Sequence, residues 1–211
     1  MKKIIFPTDF SEAATNAFVH ALEFAKVVNA ELVLLHTFEI PVYDSQFFPE
    51  NYAAIYSSIE LANFEMFKDE IPKLKTIAME RNLEEIVIKH RLMDGDLLYN
   101  LKNAVEEEKA DFVIMGTNGI SDWTTFFTGS NTSSVISGVD VPVLCVPIDA
   151  KFKKIKVIGF TTRYREKDKK ELKKILKIAK KTDAKVRSLY VKTSNSDVAD
   201  TTIKEWEKEF T

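Results

Sequence analysis

The sequence predicts an α/β protein built on an open parallel β-sheet, and two observations support that class. Short β-branched runs alternate with long amphipathic stretches, which is the pattern of successive β-α-β units. The 211 residues are 45% hydrophobic, enough for one full core and part of a second. No apolar run approaches the roughly 18 residues of a membrane span, and MKKIIFPTDF at the N-terminus lacks the features of a signal peptide. We therefore expect a globular cytoplasmic protein.

The first β-α-β unit is predicted near the N-terminus. IIF at residues 4–6 begins a strand, Ser11 can cap the next helix, and ELVLLHTF from Glu31 is typical of a buried strand. The apolar positions of this helix fall at helical spacing: Ala14, Phe18, Ala21, Leu22 and Ala25.

The next segment is predicted to be a long helix followed by a third strand. Residues 40–55, rich in Pro, Tyr, Phe and Asn, are expected to be an irregular connection into a helix from Ser57 to Arg81. EEIVIKHRL supplies the strand, Asp94 and Gly95 a turn, and Leu97 to Glu108 the following helix. Four residues of the long helix are expected on one face: Phe64, Phe67, Ile71 and Leu74.

Two more strands complete the predicted sheet. ADFVIMG is the fourth strand, Asn131 to Ser137 a short helix, and VPVLCVP the fifth strand. Residues 1–148 would then form a complete five-stranded domain. Cys145, the single cysteine, lies inside the fifth run, which favours a small core residue over a reactive thiol.

From residue 153 the same order begins again. KKIKVIGFTT, a Lys-rich helix from Lys167 to Lys181 and AKVRSLYV repeat the strand, helix and strand of the first unit, and one more helical stretch follows. Residues 153–211 are therefore interpreted as a partial second unit. Half a unit cannot close its own sheet. Either the chain is a shortened form of a two-domain protein, or the half unit completes its core against the first domain or another chain.

The charges of the two parts are opposite. Residues 1–150 carry 11 Lys and Arg against 23 Asp and Glu, and residues 151–211 carry 19 against 9. Opposite charges favour docking of the parts on each other or on copies of each other. A basic stretch could also attract nucleic acid, but neither aromatic interleaving nor a nucleic-acid motif accompanies it, so docking is the preferred interpretation.

The segment MGTNGISDWTTFFTGSNTSSVI, residues 115–136, carries the chemistry. It contains three of the six glycines, is rich in Ser and Thr, and has no Lys or Arg. In an open parallel sheet, ligands bind at the carboxyl edge where the strand order reverses. Glycines admit close approach to the main chain, successive N–H groups can form an anion-binding nest, and a helix start adds partial positive charge. We therefore predict a phosphate site. The spacing fits neither a Walker A loop nor G-x-G-x-x-G.

Three separated motifs resemble those of the universal stress protein family. They are PTDFS after the first strand, the pattern G-x2-G-x9-G-S after the fourth, and VPVLCVP at the end. The resemblance covers residues 1–148 and, as a decayed tandem copy, 153 to about 191. It implies a flavodoxin-like fold with helices on both faces of the sheet and a stress-response role. In the nucleotide-binding branch of the family it implies bound ATP, with AMP or ADP as alternatives and Mg²⁺ as an accompanying ion.

The resemblance also implies a set of contacts for the nucleotide. Pro7, Thr8 and Asp9 would line the adenine and ribose end, and Thr37 would meet the adenine through its backbone. The other implied contacts bracket the ribose and phosphates or hold the phosphates at the helix start: Met115, Gly116, Asn118, Gly119, Gly129, Ser130, Asn131 and Thr132. Family members commonly dimerise through the last strand, here residues 141–147, or make the same contact between tandem domains.

Two departures from the family pattern bear on binding. Many ATP-binding members carry Lys or Arg in the stretch that here reads ISDWTTFFT, where Asp122 is the only charge. Weak binding, dependence on a divalent ion or preference for a less charged nucleotide therefore stay open. In the second copy, VIGFTT aligned with IIFPTD places Thr162 where Asp9 stands, so that copy is expected not to bind nucleotide.

Other functions find less support. His20, His36 and His90 have neither a Cys partner nor regular ligand spacing, so no metal site is expected. There is no G-x-S-x-G motif and no evident nucleophile set, so at most slow ATP hydrolysis is expected. Asp9 could merely cap the first helix together with Ser11. The alternative function is a nucleotide-free dimerisation or interaction module with the same fold.

Overall fold

The computed structural model describes residues 1–39, 49–117, 130–191, 198 and 200–210. The chain divides into two compact units, Met1–Phe152 and Lys153–Thr211. The first contains the strands β1 (Lys2–Pro7), β2 (Ala30–Phe38), β3 (Ile88–Asp94), β4 (Phe112–Thr117) and β5 (Val143–Pro147). Its helices are α1 (Glu12–Val28), α2 (Pro49–Glu80), α3 (Leu97–Glu108) and α4 (Ser130–Gly138). The second unit contains β6 (Val157–Thr161), α5 (Glu166–Thr182), β7 (Lys185–Leu189) and α6 (Asp200–Phe210).

The sheet of the first unit confirms the predicted fold class. Its five strands are parallel and lie in the order β3-β2-β1-β4-β5. The chain runs outward from β1 to β2 and β3, then crosses to the other side of β1 to form β4 and β5. The strand order therefore reverses between β1 and β4, and the carboxyl ends of these two strands flank the crevice where such sheets bind ligands.

The core lies on both faces of this sheet because successive residues of each strand point to opposite sides. Ile5, Val33 and Leu35 pack with Leu101 of α3 and Val135 of α4 on one face. On the other face the ring of Phe6 meets Phe18 of α1 with centroids 5.6 Å apart. Each such side chain contributes roughly 1.5–3 kcal/mol by leaving water. This burial fixes the register of the strands that carry the site.

Helix α1 has the ends that its sequence predicts. Ser11 is the N-cap, and its side-chain oxygen accepts a hydrogen bond from the Ala14 N–H at 3.3 Å. At the other end Asn29 adopts the left-handed conformation, and its N–H bonds the last turn of the helix. The apolar positions predicted to face the core are buried.

Helix α2 differs from its prediction at two places. It begins at Pro49 rather than Ser57, so part of the stretch expected to be irregular is helical, while residues 40–48 lie outside the described residues. Phe67 and Leu74 are buried as expected, but Phe64 is 52% exposed. Phe64 is exposed because this part of α2 faces an open cavity at the sheet edge, which Phe64 lines with Leu61.

Strand β3 begins at Ile88 rather than Glu84 and includes Asp94, which was predicted to lie in a turn. The other elements lie close to their predicted positions, and Cys145 packs as the sequence indicated. Its side chain is half-buried against the core between the sheet, α3 and α4. Burial raises the pKa of the Cys145 thiol, which favours its protonated and less reactive form. None of the described helices is long and apolar enough to cross a membrane.

The second unit contains the predicted strand, helix, strand and helix. β6 and β7 form a parallel two-stranded sheet. Phe160, Leu172 and Trp206 are buried and form a core cluster of this unit. The Lys-rich face of α5 is largely exposed and carries ion pairs such as Lys169 with Glu209 at 2.9 Å.

Candidate functional site

The turn between β1 and α1 presents Asp9 at the carboxyl edge of the sheet. The Thr8 N–H donates to the Leu35 carbonyl at 2.9 Å, and the Thr8 hydroxyl accepts from the Phe10 N–H at 3.0 Å. One carboxylate oxygen of Asp9 accepts from the Ser11 N–H at 3.0 Å, while the side chain is exposed. Asp9 therefore supports the start of α1 with one carboxylate oxygen. Because the side chain is exposed, the carboxylate is also accessible to a ligand.

Gly116, at the end of β4, allows this turn to lie close to β4. A Cβ atom at Gly116 would stand 2.5 Å from the carbonyl oxygen of Ala13 and 2.9 Å from the nitrogen of Ala14. The first turn of α1 thus packs directly on the backbone of β4. Only glycine fits here, and its absence of a side chain brings the Asp9 turn beside the start of the Gly-rich segment.

The other described candidates lie along the same edge. Pro7 ends β1 and is buried, and Thr37 is half-buried near the end of β2. Met115 is buried in β4, and its side chain packs in the core beside Ile5 and Leu35. Met115 can therefore contribute to a site only through its backbone. The structure brings these residues together with Thr8, Asp9 and Gly116 at the ends of three adjacent strands.

The helix after the Gly-rich segment begins where the sequence predicts. α4 starts at Ser130, and Thr132 lies half-buried in its first turn. Asn118, Gly119 and Gly129, and the side chains of Ser130 and Asn131, lie outside the described residues. The described part of this segment therefore offers a helix N-terminus, with its N–H groups and partial positive charge, at the carboxyl edge.

Charge is distributed unequally between the two edges of the sheet. At the amino edge, Lys3 of β1 bonds Glu108 at 2.6 Å, and Lys89 of β3 bonds Glu31 at 3.0 Å. The hydrogen bond to Glu108 is the main reason that the pKa of Lys3 is raised. At the carboxyl edge, none of the candidate residues is cationic, and Asp9 is the only anion among them. A phosphate there would be held by amides, hydroxyls and an added cation.

Two of the histidines form hydrogen bonds to backbone carbonyls. His20 bonds the Ala150 carbonyl at 2.9 Å, and His36 bonds the Thr8 carbonyl at 2.7 Å. Within the described residues no group of three or more His, Cys, Asp or Glu side chains is placed to hold a metal ion.

A cavity of about 790 Å³ adjoins the candidate site, and the sequence interpretation missed it. Thr37 is paired in register with Met93 of β3, and Met93 lines the cavity. The Tyr56 hydroxyl donates to the Asp94 carboxylate at 3.3 Å across it. Asp94 is the last residue of β3, and Asp9 lies two residues after β1, so both put a carboxylate at the carboxyl edge of the sheet. An acidic residue at a strand end is the signal that could have found the cavity. Principal lining residues are Phe38, Tyr56, Leu61, Phe64, Met93 and Asp94.

The second unit contains a turn with the same backbone bonds. The Thr162 N–H donates to the Leu189 carbonyl at 3.1 Å, and the Thr162 hydroxyl accepts from the Tyr164 N–H at 2.8 Å. Tyr164 has φ +55°, as Phe10 has φ +60°. Thr162 therefore matches Thr8, and Arg163 stands where Asp9 does. The expectation that Thr162 replaces Asp9 was wrong by one residue, because the hydrogen bonds at the strand end fix the register.

A carboxylate already occupies the donors of this second turn. Asp168 accepts from the Thr162 hydroxyl at 2.9 Å, the Arg163 N–H at 3.1 Å and the Arg165 N–H at 3.3 Å. Desolvation acts to raise the pKa of Asp168, but these three hydrogen bonds and the Arg165 charge together outweigh it, so the pKa lies below its usual value. The chain thus supplies its own anion to the second turn.

Comparison with known proteins agrees with the motifs. The model of the universal stress protein family matches residues 1–147. Universal stress protein MJ0577 of Methanocaldococcus jannaschii is 31% identical over 152 residues, covering 69% of this chain and 94% of that relative. UspA from Lactobacillus plantarum superposes with a TM-score of 0.57 at 20% identity, over 69% of this chain and 97% of its own. A universal stress protein from Archaeoglobus fulgidus DSM 4304 superposes with a TM-score of 0.70 at 19% identity, over 98% of this chain and 73% of its own. The chain belongs to the universal stress protein family.

Proposed function

We propose that the first unit binds an adenine nucleotide, ATP, at the carboxyl edge between β1 and β4. In this proposal the protein acts in the cytoplasm in a stress response, and occupancy changes its conformation or assembly. The observation that carries the proposal is the packing of α1 on Gly116, which brings the Asp9 turn beside the start of the Gly-rich segment, where the strand order reverses.

Each part of the nucleotide has a chemical counterpart among these residues. The backbone N–H groups of the Gly-rich segment and the start of α4 suit the phosphates. The exposed carboxylate of Asp9 suits the ribose hydroxyls, and the backbone of Thr37 suits the adenine, with the cavity beside Met93 available to the base. Because the candidate residues include no cation, Mg²⁺ is the proposed source of positive charge for the phosphates.

Ligands of other family members agree in class with this proposal. One universal stress protein structure is a complex with cAMP, one from Arabidopsis thaliana has AMP bound, and one from Archaeoglobus fulgidus is a complex with dAMP. Their TM-scores to this chain, 0.48, 0.42 and 0.47, are low, so the proposal rests on the residues of this chain.

Isothermal titration of the full chain with ATP and MgCl₂ tests the proposal. Asp9→Asn keeps an oxygen for the Ser11 N–H but replaces the other oxygen with NH₂, which cannot accept from a ribose hydroxyl. Losing a hydrogen bond to a charged group costs about 1.5–3 kcal/mol, so the affinity should fall about tenfold or more. Gly129→Asp, which puts a carboxylate just before α4, should abolish binding.

Asp111→Asn is the matched control for Asp9→Asn. Asp111 also accepts from a backbone N–H, that of Lys3 at 3.0 Å, but it lies at the amino edge. We expect its affinity for ATP to equal that of the unaltered chain. A folded chain that binds no adenine nucleotide in the presence of Mg²⁺ would contradict the proposal.

A nucleotide-free interaction module is the second candidate, and β5 favours it. β5 is the last strand in the sheet order, and Leu144 and Ile148 near it are 40% and 37% exposed. An open edge with apolar side chains is suited to pairing with a second copy. Analytical ultracentrifugation should then find a dimer that Leu144→Lys dissociates, while titration with ATP gives no heat.

We also infer that residues 153–211 are a partial, degenerate copy of the first unit. The support is the shared order of elements and the matching turn bonds of Thr8 and Thr162. In this interpretation the copy does not bind nucleotide, because Arg163 replaces Asp9 and Asp168 occupies the donors of the turn.

A further inference from the structure

Three aromatic rings pack together at the turn that carries Asp9. The centroid of Phe10 lies 5.1 Å from that of His36 and 5.8 Å from that of Phe67. His36 and Phe67 stack at 6.2 Å with an interplanar angle of 23°. His36 is 7% exposed and Phe67 is 8% exposed. A buried ring pair on β2 and α2 thus holds a residue of the β1–α1 turn.

Phe10 needs such support because of its backbone. Its φ of +60° lies in the left-handed region, which is unfavourable for a residue with a Cβ atom. Packing of the Phe10 ring against His36 and Phe67 offsets that cost. If the ring pair moved, the Phe10 conformation would be free to relax and Asp9, the preceding residue, would be redirected.

His36 adds a directional contact to this packing. Its Nδ1 lies 2.7 Å from the Thr8 carbonyl oxygen. A carbonyl only accepts, so Nδ1 carries the hydrogen and donates. The Thr8 N–H and hydroxyl are bonded to Leu35 and Phe10, so His36 completes the fixation of the peptide that leads into Asp9.

The second unit has a comparable ring cluster in which no histidine takes part. Its ring cluster consists of Tyr164, Tyr190 and Trp206. The ring centroid of Tyr164 lies 5.6 Å from that of Tyr190 and 5.2 Å from that of Trp206. Tyr190 follows Leu189 as His36 follows Leu35, yet its hydroxyl has no hydrogen-bond partner among the described residues. In the second unit the rings and the Asp168 carboxylate hold the turn without a bond of this kind. In the described part of the first unit, no such internal carboxylate is bonded to the Thr8 hydroxyl, and His36 bonds the Thr8 carbonyl instead.

We propose that His36 and Phe67 are positioning residues for the nucleotide site. His36 fixes the Thr8–Asp9 peptide in its binding orientation, and Phe67 links that orientation to α2, so nucleotide affinity depends on how α2 packs. This inference rests on the proposed function, because the ligand it concerns is the adenine nucleotide.

Paired amide substitutions at His36 test the hydrogen bond. Asn places an N–H donor at the same number of bonds from Cβ as Nδ1, whereas Gln places it one bond further. In titrations of the full chain with ATP and Mg²⁺, His36→Asn should stay within about threefold of the unaltered affinity. His36→Gln should lose about tenfold, which corresponds to about 1.4 kcal/mol and lies within the range for one hydrogen bond. Both should lower the melting temperature alike, since both lose the ring. Equal affinities for the two variants would overturn the role of the bond.

Amide hydrogen exchange gives a readout that needs no nucleotide. The N–H groups of Phe10 and Ser11 should exchange faster in His36→Gln than in His36→Asn, and Phe67→Leu should accelerate both. Unchanged exchange in all three variants would overturn the positioning role. If the unaltered chain bound no nucleotide while exchange followed this order, the proposed function would fail and the link from α2 to the turn would stand.

Discussion

The two β-α turns of this chain share a backbone and differ in their chemistry. In both, a threonine N–H donates to a carbonyl of the neighbouring strand, and the threonine hydroxyl accepts from the N–H of the residue two positions later. That later residue is aromatic and has positive φ. The residue between them is Asp9 in the first unit and Arg163 in the second. The frame of the turn is therefore set by local bonds and ring packing, and it tolerates a complete reversal of charge at the position that would face a ligand.

The surroundings of the two turns differ as well. The Asp9 turn lies beside Gly116 of β4, so two strand ends face one crevice. The described residues of the second unit contain only β6 and β7, and Asp168 fills the donors of its turn. Under the proposed function, the same turn binds a ligand only when a neighbouring strand end completes the site and no internal group occupies its donors.

The largest expected effect is a loss of stability when the close packing of α1 on Gly116 is disturbed. Gly116→Ala would force a Cβ atom to within 2.5 Å of the Ala13 carbonyl oxygen, and forced overpacking costs about 1–3 kcal/mol. Thermal denaturation followed by circular dichroism should show a melting temperature lower by about 2–4 °C per kcal/mol.

Gly159→Ala in the second unit is the control for this change. Its Cβ atom would meet Leu189 at 3.6 Å, an ordinary contact, so we expect little change in melting temperature. Equal losses for the two alanine variants would show that the close approach at Gly116 is not what holds the first turn.

A smaller effect is expected at Asp168. Asp168→Ala removes the acceptor of three hydrogen bonds near the start of α5, and loss of such a cap costs about 0.5–2 kcal/mol. Because the pKa of Asp168 is lowered in the folded state, its contribution is complete above the unfolded value of about 3.9 and is lost as the pH falls through the folded value. The free energies of unfolding of the two proteins should therefore converge in acid.

Trp206 reports on this unit because it is buried in its core. Urea unfolding followed by Trp206 fluorescence, in a Trp123→Phe background, measures the difference in free energy of unfolding between Asp168→Ala and its parent. Glu171→Ala, which removes an exposed pair with Lys174, is the control and should change little. A constant gap between Asp168→Ala and the parent from pH 7 to pH 3 would contradict the assigned role of the carboxylate.

The smallest expected effect concerns Arg163. Arg163→Asp restores the residue type of Asp9 in the second turn but leaves Asp168 on its donors and adds no neighbouring strand end. Titration with ATP and Mg²⁺ should therefore show an unchanged number of sites. A newly gained site would mean that charge at this one position decides which turn binds.

Much of the first unit could be predicted from its sequence because its signals are local. Ser11 caps α1 as predicted, and α3 spans Leu97–Glu108 as expected, since capping residues and apolar periodicity act within a few residues. The β-α-β pattern predicted a parallel sheet but not the order of its strands. The family resemblance indicated Pro7, Thr8, Asp9, Thr37 and Gly116, and the sheet brings them to one edge.

Features that depend on tertiary contacts could not be predicted in this way. The motif predicts that Gly116 faces a ligand, but the contact that excludes a side chain there is the backbone of α1. The sequence offers His36 only as a possible metal ligand, because its bond to the Thr8 carbonyl joins residues far apart in the chain. Aligning the two turns by residue type put Thr162 opposite Asp9, whereas the hydrogen-bond register puts Arg163 there.

The number of adenine nucleotides bound per chain tests the central claim most directly. Equilibrium dialysis of the full chain against labelled ATP with Mg²⁺ should saturate at one nucleotide per chain, and Asp9→Asn should weaken that single site. Saturation at two nucleotides per chain would contradict the inference that Asp168 prevents the second turn from binding one. A folded chain that retained no nucleotide at any concentration would contradict the binding role of the first.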